Sequence, residues 1–358
     1  MKVVVTGISG SGRVELIKKF SDFAKEKKKT IKIFDVGEMM FNAAEKLGLE
    51  IKENKILDLS PSALNFLRAT VFEQIIRECS QYEDVVVATH ACFRWRKFLI
   101  QAFDFNYLRE LNPDMYVTVV DSLPSIKLRL ESSKAWRGRL SLKDIIVWRD
   151  EETILTKSIA DFQGKPFFIV PFATPPESLF RLFFYPNSKK AYLSYPITHT
   201  GMDPSKIEQK NIFRDKLRKA GLIVFDPNDV EDSDILRLIL SDSSKNNTVR
   251  FEKDGSSVSF SLDEIKEVEK DINEQIVSRD YQLIDQSDFI IVYYFSPVMS
   301  PGVLSEMTYG FSNNKNIYVV FEGPESPFFK YYSTKIFSNE EELYKFLIEE
   351  GIIESKLS

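Results

Sequence analysis

Twice along this chain, a lysine precedes a short apolar run, a turn rich in small residues and an amphipathic helix. The first run is Lys2 to Thr6 and the second is Lys189 to Leu193. Continuously apolar runs that alternate with helical segments are typical of parallel strands buried on both faces. The sequence therefore predicts an α/β fold made of two Rossmann-like three-layer domains with mostly parallel sheets.

Further apolar runs continue this alternation in both halves, at residues 30–34, 84–88, 115–120 and 167–170, then 191–194, 222–225, 289–294 and 317–321. Residues 171–188, rich in proline and aromatic residues, separate the halves and place a boundary near Pro186. We predict domains at 1–186 and 187–358. An insertion at about 230–262 is predicted to form a β-hairpin with its turn at Asp254-Gly255. This hairpin could serve as a lid, as an oligomer contact or as a plain surface excursion.

The composition excludes several classes of protein. The 358 residues are 43% hydrophobic and 28% charged, which is a globular balance, and the net charge of −5 gives no general attraction to nucleic acid or membranes. Cys79 and Cys92 are too few for a disulfide framework or a zinc cluster, and no metal site is predicted. Because no apolar run reaches about 18 residues, we expect a cytoplasmic protein.

A glycine-rich loop follows the first strand and opens a helix. Its candidate nucleotide-binding residues are Gly7, Gly10, Ser11, Gly12 and Arg13. Such a loop directs backbone N–H groups at phosphates, at the positive end of the helix. A kinase loop carries lysine and then serine or threonine after its last glycine, whereas this chain has Arg13 followed by Val14.

The first half resembles archaeal-type adenylate kinase. The similarity rests on the loop, on residues 34–40, 85–90 and 110–114, and on the arginines 129, 137 and 139. The resemblance implies a P-loop kinase-like domain, but Ala88 and Val14 replace the aspartate and threonine that organise Mg²⁺ in that family. Three roles remain open for this half of the chain: it binds a nucleotide through Arg13, it is a relic scaffold, or it is a kinase that would require Mg²⁺.

Near the C-terminal end, the sequence predicts a helix, a buried strand, a tight turn and a new helix. Asp280 lies on the first helix, and Glu306 lies near the start of the second, where it is directed into the crevice at the carboxyl end of the sheet. Two carboxylates at such a crevice are what glycosidic chemistry needs, because one attacks the sugar carbon and the other protonates the leaving group.

Residues 189–325 resemble the nucleoside 2-deoxyribosyltransferase superfamily, which includes 2'-deoxynucleoside 5'-monophosphate N-glycosidases. The similarity rests on residues 190–197 and on the spacing of Asp280, Asp288 and Glu306. It implies that Glu306 is the nucleophile, that Asp280 is the general acid and that Tyr192 orients Glu306. It also implies a homo-oligomer and chemistry without a cofactor.

Three further residues bear on the substrate of this site. Ser300 and Gly302, six and four residues before Glu306, are typical of the monophosphate hydrolases of this superfamily and suit a 5'-phosphate, and Ser194 is a candidate phosphate contact. The favoured function is hydrolysis or transfer at the N-glycosidic bond of (deoxy)nucleoside 5'-monophosphates. A non-catalytic nucleotide sensor and a nucleoside monophosphate kinase are the alternatives.

Overall fold

The structure, a computed structural model, describes residues 1–96, 98–197, 204–230, 232, 235–236, 247–295, 300–323 and 326–354. His199, a further candidate for the pocket near Glu306, lies outside these ranges. The chain divides into two compact units, of which the first comprises residues 1–176 and 230–276 and the second comprises 177–229 and 277–354 of the described chain. None of the described helices combines the length and apolar character needed to cross a bilayer.

The first unit is built on a five-stranded parallel sheet in the order β2-β3-β1-β6-β7. Its strands are almost wholly apolar and lie at β1 (Lys2–Thr6), β2 (Ile31–Asp35), β3 (Asp84–Ala88), β6 (Met115–Val120) and β7 (Phe167–Pro171). A short antiparallel pair, β4 (Cys92–Trp95) and β5 (Phe98–Gln101), follows β3. All five predicted strand positions are confirmed, and the carboxyl ends of these strands form one edge of the sheet.

Six helices connect these strands: α1 (Arg13–Glu26), α2 (Val36–Lys46), α3 (Pro61–Cys79), α4 (Phe105–Leu111), α5 (Leu123–Ser132) and α6 (Leu142–Phe162). Helix α6 begins with a capping box, in which Ser141 and Asp144 each satisfy a backbone N–H of the other. Its buried face then carries Trp148, Arg149 and Glu152, so two ionisable groups enter the interior of the unit.

Residues 230–276 pack with the first unit although they interrupt the second in the sequence. They contain the predicted hairpin, β10 (Thr248–Lys253) and β11 (Ser256–Ser261), and most of helix α9 (Leu262–Asp285). Asp254 and Gly255 have φ values of 49° and 76°, which suits the tight turn that the sequence predicts. Val249, Val258 and Phe260 are buried in one core with residues of α5 and α6, which explains why the segment groups with them.

The second unit has its own five-stranded parallel sheet, in the order β14-β13-β12-β8-β9. The strands are β8 (Lys190–Ser194), β9 (Ile223–Phe225), β12 (Phe289–Tyr294), β13 (Asn316–Phe321) and β14 (Lys335–Phe337). The helices are α7 (Pro176–Phe184), α8 (Pro204–Lys219), the end of α9, α10 (Pro301–Ser312), α11 (Pro327–Tyr332) and α12 (Glu340–Glu349). The mostly parallel α/β architecture is thus present in both units.

The division between the units differs from the predicted boundary near Pro186 in two respects. Residues from Glu177 onward group with the second unit, where Arg181 lies against Gly221. The predicted insertion groups with the first unit, because its apolar side chains complete the core beside α5 and α6. Sequence order alone does not reveal which unit a segment packs against.

Candidate active site and phosphate loop

The glycine-rich loop joins β1 to α1 at the carboxyl edge of the first sheet. Gly12 caps α1 with a φ of 79°, a conformation that favours glycine. An added Cβ at Gly12 would lie 2.5 Å from the ring of Phe172, so the loop and this ring are in close contact. Both features explain why glycine is needed at this position.

Arg13 is buried and directed back onto the loop. Its guanidinium donates to the carbonyl oxygen of Gly7, and its second Nη lies 3.2 Å from Nε2 of His90. Burial lowers the pKa of His90 well below its ordinary value, and the positive charge of Arg13 lowers it further. His90 is therefore neutral and accepts the hydrogen bond from Arg13.

Glu152 of α6 fastens the loop to the turn after β3, a role that the sequence analysis missed. Its carboxyl group is fully buried and accepts from the backbone N–H groups of Gly7 at 3.0 Å, Ala91 at 2.9 Å and Cys92 at 2.9 Å. Burial raises the pKa of Glu152, while the backbone N–H donors and Arg13 oppose that rise. The available signal was an acid on the buried face of an amphipathic helix, three residues after Arg149.

Several buried polar atoms near the loop have no hydrogen-bond partner among the described residues. They are Ser11 Oγ, Arg13 Nε, Thr89 Oγ1 and His90 Nδ1. Leaving such a group unsatisfied costs roughly 1–3 kcal/mol. The loop and the turn after β3 therefore retain hydrogen-bonding capacity for a polar ligand. All five predicted loop residues also make internal hydrogen bonds, through backbone groups of Gly7, Gly10, Ser11 and Gly12 and through the guanidinium of Arg13.

In the second unit, Glu306 of α10 is held by two hydroxyl groups of β8. Tyr192 donates to Glu306 Oε1 at 3.0 Å, and Ser194 donates to Glu306 Oε2. Tyr192 and Ser194 are two residues apart on one strand, so both side chains project from the same face of the sheet. The structure thus brings together the predicted nucleophile, its predicted orienting tyrosine and Ser194.

Asp280, near the end of α9, is buried and carries its negative charge close to Glu306. Burial and, after it, the negative charge of Asp280 raise the pKa of Glu306, the hydrogen bonds from Ser194 and Tyr192 oppose this rise, and the resulting pKa is about 8. Burial also raises the pKa of Tyr192 far above its ordinary value, so this phenol stays protonated and remains a donor. An acid whose pKa is shifted toward neutrality by burial and a like charge is typical of catalytic sites.

Ser300 and Gly302 lie at the start of α10. Ser300 is its N-cap, where Oγ accepts from the N–H of Val303 at 3.5 Å and the N–H of Ser300 donates to the hydroxyl of Tyr294 at 2.6 Å. Gly302 is exposed in the first turn. Glu306 is the sixth residue of α10 and therefore lies in its second turn. Ser194, predicted to contact phosphate, is directed to Glu306 instead.

Comparisons with known proteins include a family match in the first half of the chain. A protein-family profile described as an AAA domain matches residues 6–148. The adenylate kinase of Methanococcus vannielii is 30% identical over 161 residues, which cover 45% of this chain and 77% of that protein. The chain belongs to the adenylate kinase family. The adenylate kinase of Thermoplasma acidophilum is 26% identical over 139 residues, covering 39% of this chain and 70% of that protein.

Among solved structures, shikimate kinase from Bacteroides thetaiotaomicron aligns with a TM-score of 0.30 and 15% identity. The alignment covers 47% of this chain and 85% of that one. A conserved protein from Enterococcus faecalis aligns with a TM-score of 0.29 and 10% identity, covering 46% of this chain and 99% of that one.

Within the adenylate kinase family, this chain departs at the positions that organise Mg²⁺. Val14 follows Arg13 in the first turn of α1, and Ala88 ends β3 as a fully buried residue. Neither side chain carries an oxygen, which is the ligand that Mg²⁺ requires. No group of three potential metal ligands occurs in the described part of the chain. These residues do not fit a magnesium ion held in the manner of the family.

The raised pKa of Glu306 gives a pH prediction for a reaction in which this carboxylate attacks. Because only the ionised form is nucleophilic, kcat/KM for a substrate whose leaving group needs no protonation is expected to rise with pH through about 8. Asp280→Asn removes a neighbouring negative charge, so the rise of kcat/KM is expected to occur at lower pH in this variant. A 2-deoxyribose 5-phosphate bearing a 4-nitrophenolate leaving group, which departs without protonation, allows both proteins to be assayed. If kcat/KM rises at the same pH in the unaltered protein and in Asp280→Asn, the charge of Asp280 does not raise the pKa of Glu306.

Proposed function

We propose that the second unit cleaves the N-glycosidic bond of (deoxy)nucleoside 5'-monophosphates, with Glu306 as nucleophile. The single observation that carries the proposal is the Glu306 carboxyl group, bonded by Tyr192 and Ser194 and facing the charge of Asp280. A carboxylate that is oriented by two hydroxyl groups and placed near a second carboxyl group has the parts that retaining glycosidic chemistry requires.

The reaction proceeds in two balanced steps. The two carboxyl groups hold one proton between them, and in the reactive form this proton lies on Asp280 while Glu306 is ionised. A Glu306 oxygen attacks C1' of the sugar, the C1'–N bond breaks, and the base leaves with its electron pair and the proton from Asp280. Water, or a second base, then attacks C1' of the glycosyl ester and releases Glu306, while Asp280 recovers a proton from that nucleophile. Tyr192 and Ser194 hold the carboxylate in place, and no cofactor enters these steps.

The preference for a monophosphate rests on the start of α10. The N-terminus of a helix attracts anions through its unpaired N–H groups and its dipole. Gly302 itself has no side chain, and among the residues that the structure describes an added Cβ there would meet the hydroxyl of Ser300, at 3.8 Å. A 5'-phosphate placed there anchors the nucleotide four residues before Glu306. As in the superfamily that the second half resembles, the chain acts as a homo-oligomer.

The first unit binds nucleotide through the loop Gly7 to Arg13. Membership of the adenylate kinase family supports this role, as do the unpartnered polar atoms of Ser11, Arg13 and Thr89. Arg13 occupies the position of the kinase lysine, and a guanidinium pairs well with phosphate oxygens. If the first unit does not bind a nucleotide, its remaining role is that of a scaffold.

A second candidate function is nucleoside monophosphate kinase activity, which family membership favours. That activity requires Mg²⁺ brought in by the nucleotide phosphates, because Val14 and Ala88 supply no oxygen ligand. The two functions are separable, since base release needs no metal and phosphoryl transfer does.

One experiment distinguishes these functions. The protein is incubated with a panel of nucleoside and deoxynucleoside monophosphates, first without metal and then with ATP and Mg²⁺, and the products are separated by chromatography. Free base without metal is the expected result. A diphosphate formed only with ATP and Mg²⁺ would support the kinase alternative. Binding without any product, with or without an acceptor base, would leave a nucleotide sensor.

A further inference from the structure

The first unit contains a cavity of about 510 Å³, with walls from α1, α5, Phe172 and the turn of the β10–β11 hairpin. Its lining includes three cationic side chains, Lys19, Arg129 and Lys253, together with the hydroxyl of Ser125. A volume of this size lies within the range of small-molecule sites. The inserted segment 230–276 therefore supplies one wall of this cavity.

The three cations differ in the partners they already have. Lys19 pairs with Glu15 at 2.8 Å, and Arg129 pairs with Asp121 at 2.6 Å and donates to the carbonyl oxygen of Gly10 at 2.7 Å. Lys253 donates to Ser125 Oγ at 3.2 Å, and no carboxylate of the described ranges forms an ion pair with it. Lys253 is thus the one of these three cations that forms no ion pair with a carboxylate of the described ranges.

The hairpin holds Lys253 in a fixed position. Val249, Val258 and Phe260 anchor both strands in the core beside α5, and all six residue pairs between Thr248–Ser261 and Lys253–Ser256 are in register. Lys253 is the last residue of β10, directly before the turn. A side chain on an anchored strand can contribute to a binding site with little loss of backbone freedom.

Two side chains that line the cavity, Phe172 and Arg129, also contact the phosphate loop. The Phe172 ring packs against Gly12, and the Arg129 guanidinium lies 4.5 Å from the centre of that ring while bonding the loop at Gly10. A nucleotide whose phosphates contact the loop is therefore expected to extend its nucleoside into this cavity.

We propose that Lys253, contributed by the inserted hairpin, binds the nucleoside part of a nucleotide held on the phosphate loop. Lysine has only donors, so Lys253 contacts an oxygen or nitrogen acceptor of the base or sugar. This inference rests on the proposed nucleotide-binding role of the first unit and is independent of the chemistry at Glu306. The insertion then sets which nucleotide the loop accepts.

Calorimetric titration with ATP, and separately with tripolyphosphate, tests the proposal. Lys253→Met is expected to weaken ATP binding roughly 10-fold or more and to leave tripolyphosphate binding unchanged. Arg250→Met is the matched control, because Arg250 lies on the same strand and bonds only Ser257 and Glu252 of the hairpin among the described residues. Lys253→Arg is expected to recover part of the affinity, and circular dichroism confirms that each variant is folded.

Equal ATP affinity in Lys253→Met and the unaltered protein would overturn the inference while leaving the nucleotide-binding role intact. Equal weakening of ATP and tripolyphosphate would also overturn it, because Lys253 would then act on phosphate. If the unaltered protein binds neither compound, the nucleotide-binding role of the first unit fails, and the inference fails with it.

Discussion

Glu306→Gln is expected to reduce base release from nucleoside monophosphates by roughly 10³-fold or more. The amide keeps the size of the side chain and still accepts from Tyr192, but it has no ionised oxygen to attack C1'. The measurement is the initial rate of base release without metal. Ser305→Ala is a matched control, because the neighbouring Ser305 is exposed and bonds Tyr281 rather than Glu306.

The same substitution, although it abolishes activity, is expected to make the protein more stable than the unaltered protein at high pH. The pKa of Glu306 is raised from 4.5 to about 8 by folding, so its contribution to stability is fully present below about 4.5 and is lost as the pH rises through about 8. Glu306→Gln cannot ionise and avoids this loss. Denaturant unfolding at pH 5 and pH 9 measures the difference, and an inactive variant that is also less stable than the unaltered protein at pH 9 would contradict this account of the site.

Arg149→Met is expected to lower the free energy of unfolding of the first unit by about 3–5 kcal/mol. Arg149 and Asp232 are 4% and 1% exposed, and their two hydrogen bonds measure 2.7 and 3.1 Å. Removing the guanidinium takes away the cation that forms an ion pair with this buried carboxylate. In thermal unfolding this corresponds to a fall in Tm of roughly 6–20 °C for a unit of this size.

Lys143→Met is the matched control for this prediction. Lys143 also lies on α6 and also pairs with the inserted segment, but its contact with Asp271 measures 3.8 Å and both side chains are exposed. Such a surface pair contributes about 0–1 kcal/mol. Equal effects of the two substitutions would mean that the Arg149–Asp232 pair does not fasten residues 230–276 to the first unit.

The sequence predicted the sheets well because buried parallel strands are continuously apolar. All five strands of the first sheet and four of the second lie where apolar runs indicate them. The exception is β14, which has three residues, of which only Phe337 is buried. So short a strand, pairing only with β13, leaves no apolar run to recognise.

Features that depend on contacts between distant residues were not predictable in this way. Arg149 meets Asp232 across 83 positions, and this contact helps assign the insertion to the first unit. In the sequence, Glu152 looks like any acidic residue of a helix, because the N–H groups of Gly7 and Ala91 that it binds are distant along the chain. Ser194 was a candidate phosphate contact, because the sequence does not show that Glu306 of α10 lies beside its hydroxyl.

The central claim is that Glu306 becomes covalently bound to the sugar, and mass spectrometry of a trapped intermediate tests it most directly. A nucleoside monophosphate with fluorine at C2' slows breakdown of the glycosyl ester by destabilising the oxocarbenium-like transition state. We expect the intact protein to gain the mass of one fluorinated sugar phosphate, located on the peptide that contains Glu306 and absent from Glu306→Gln. Base release without an adduct, or an adduct on another residue, would contradict the assignment of Glu306 as nucleophile.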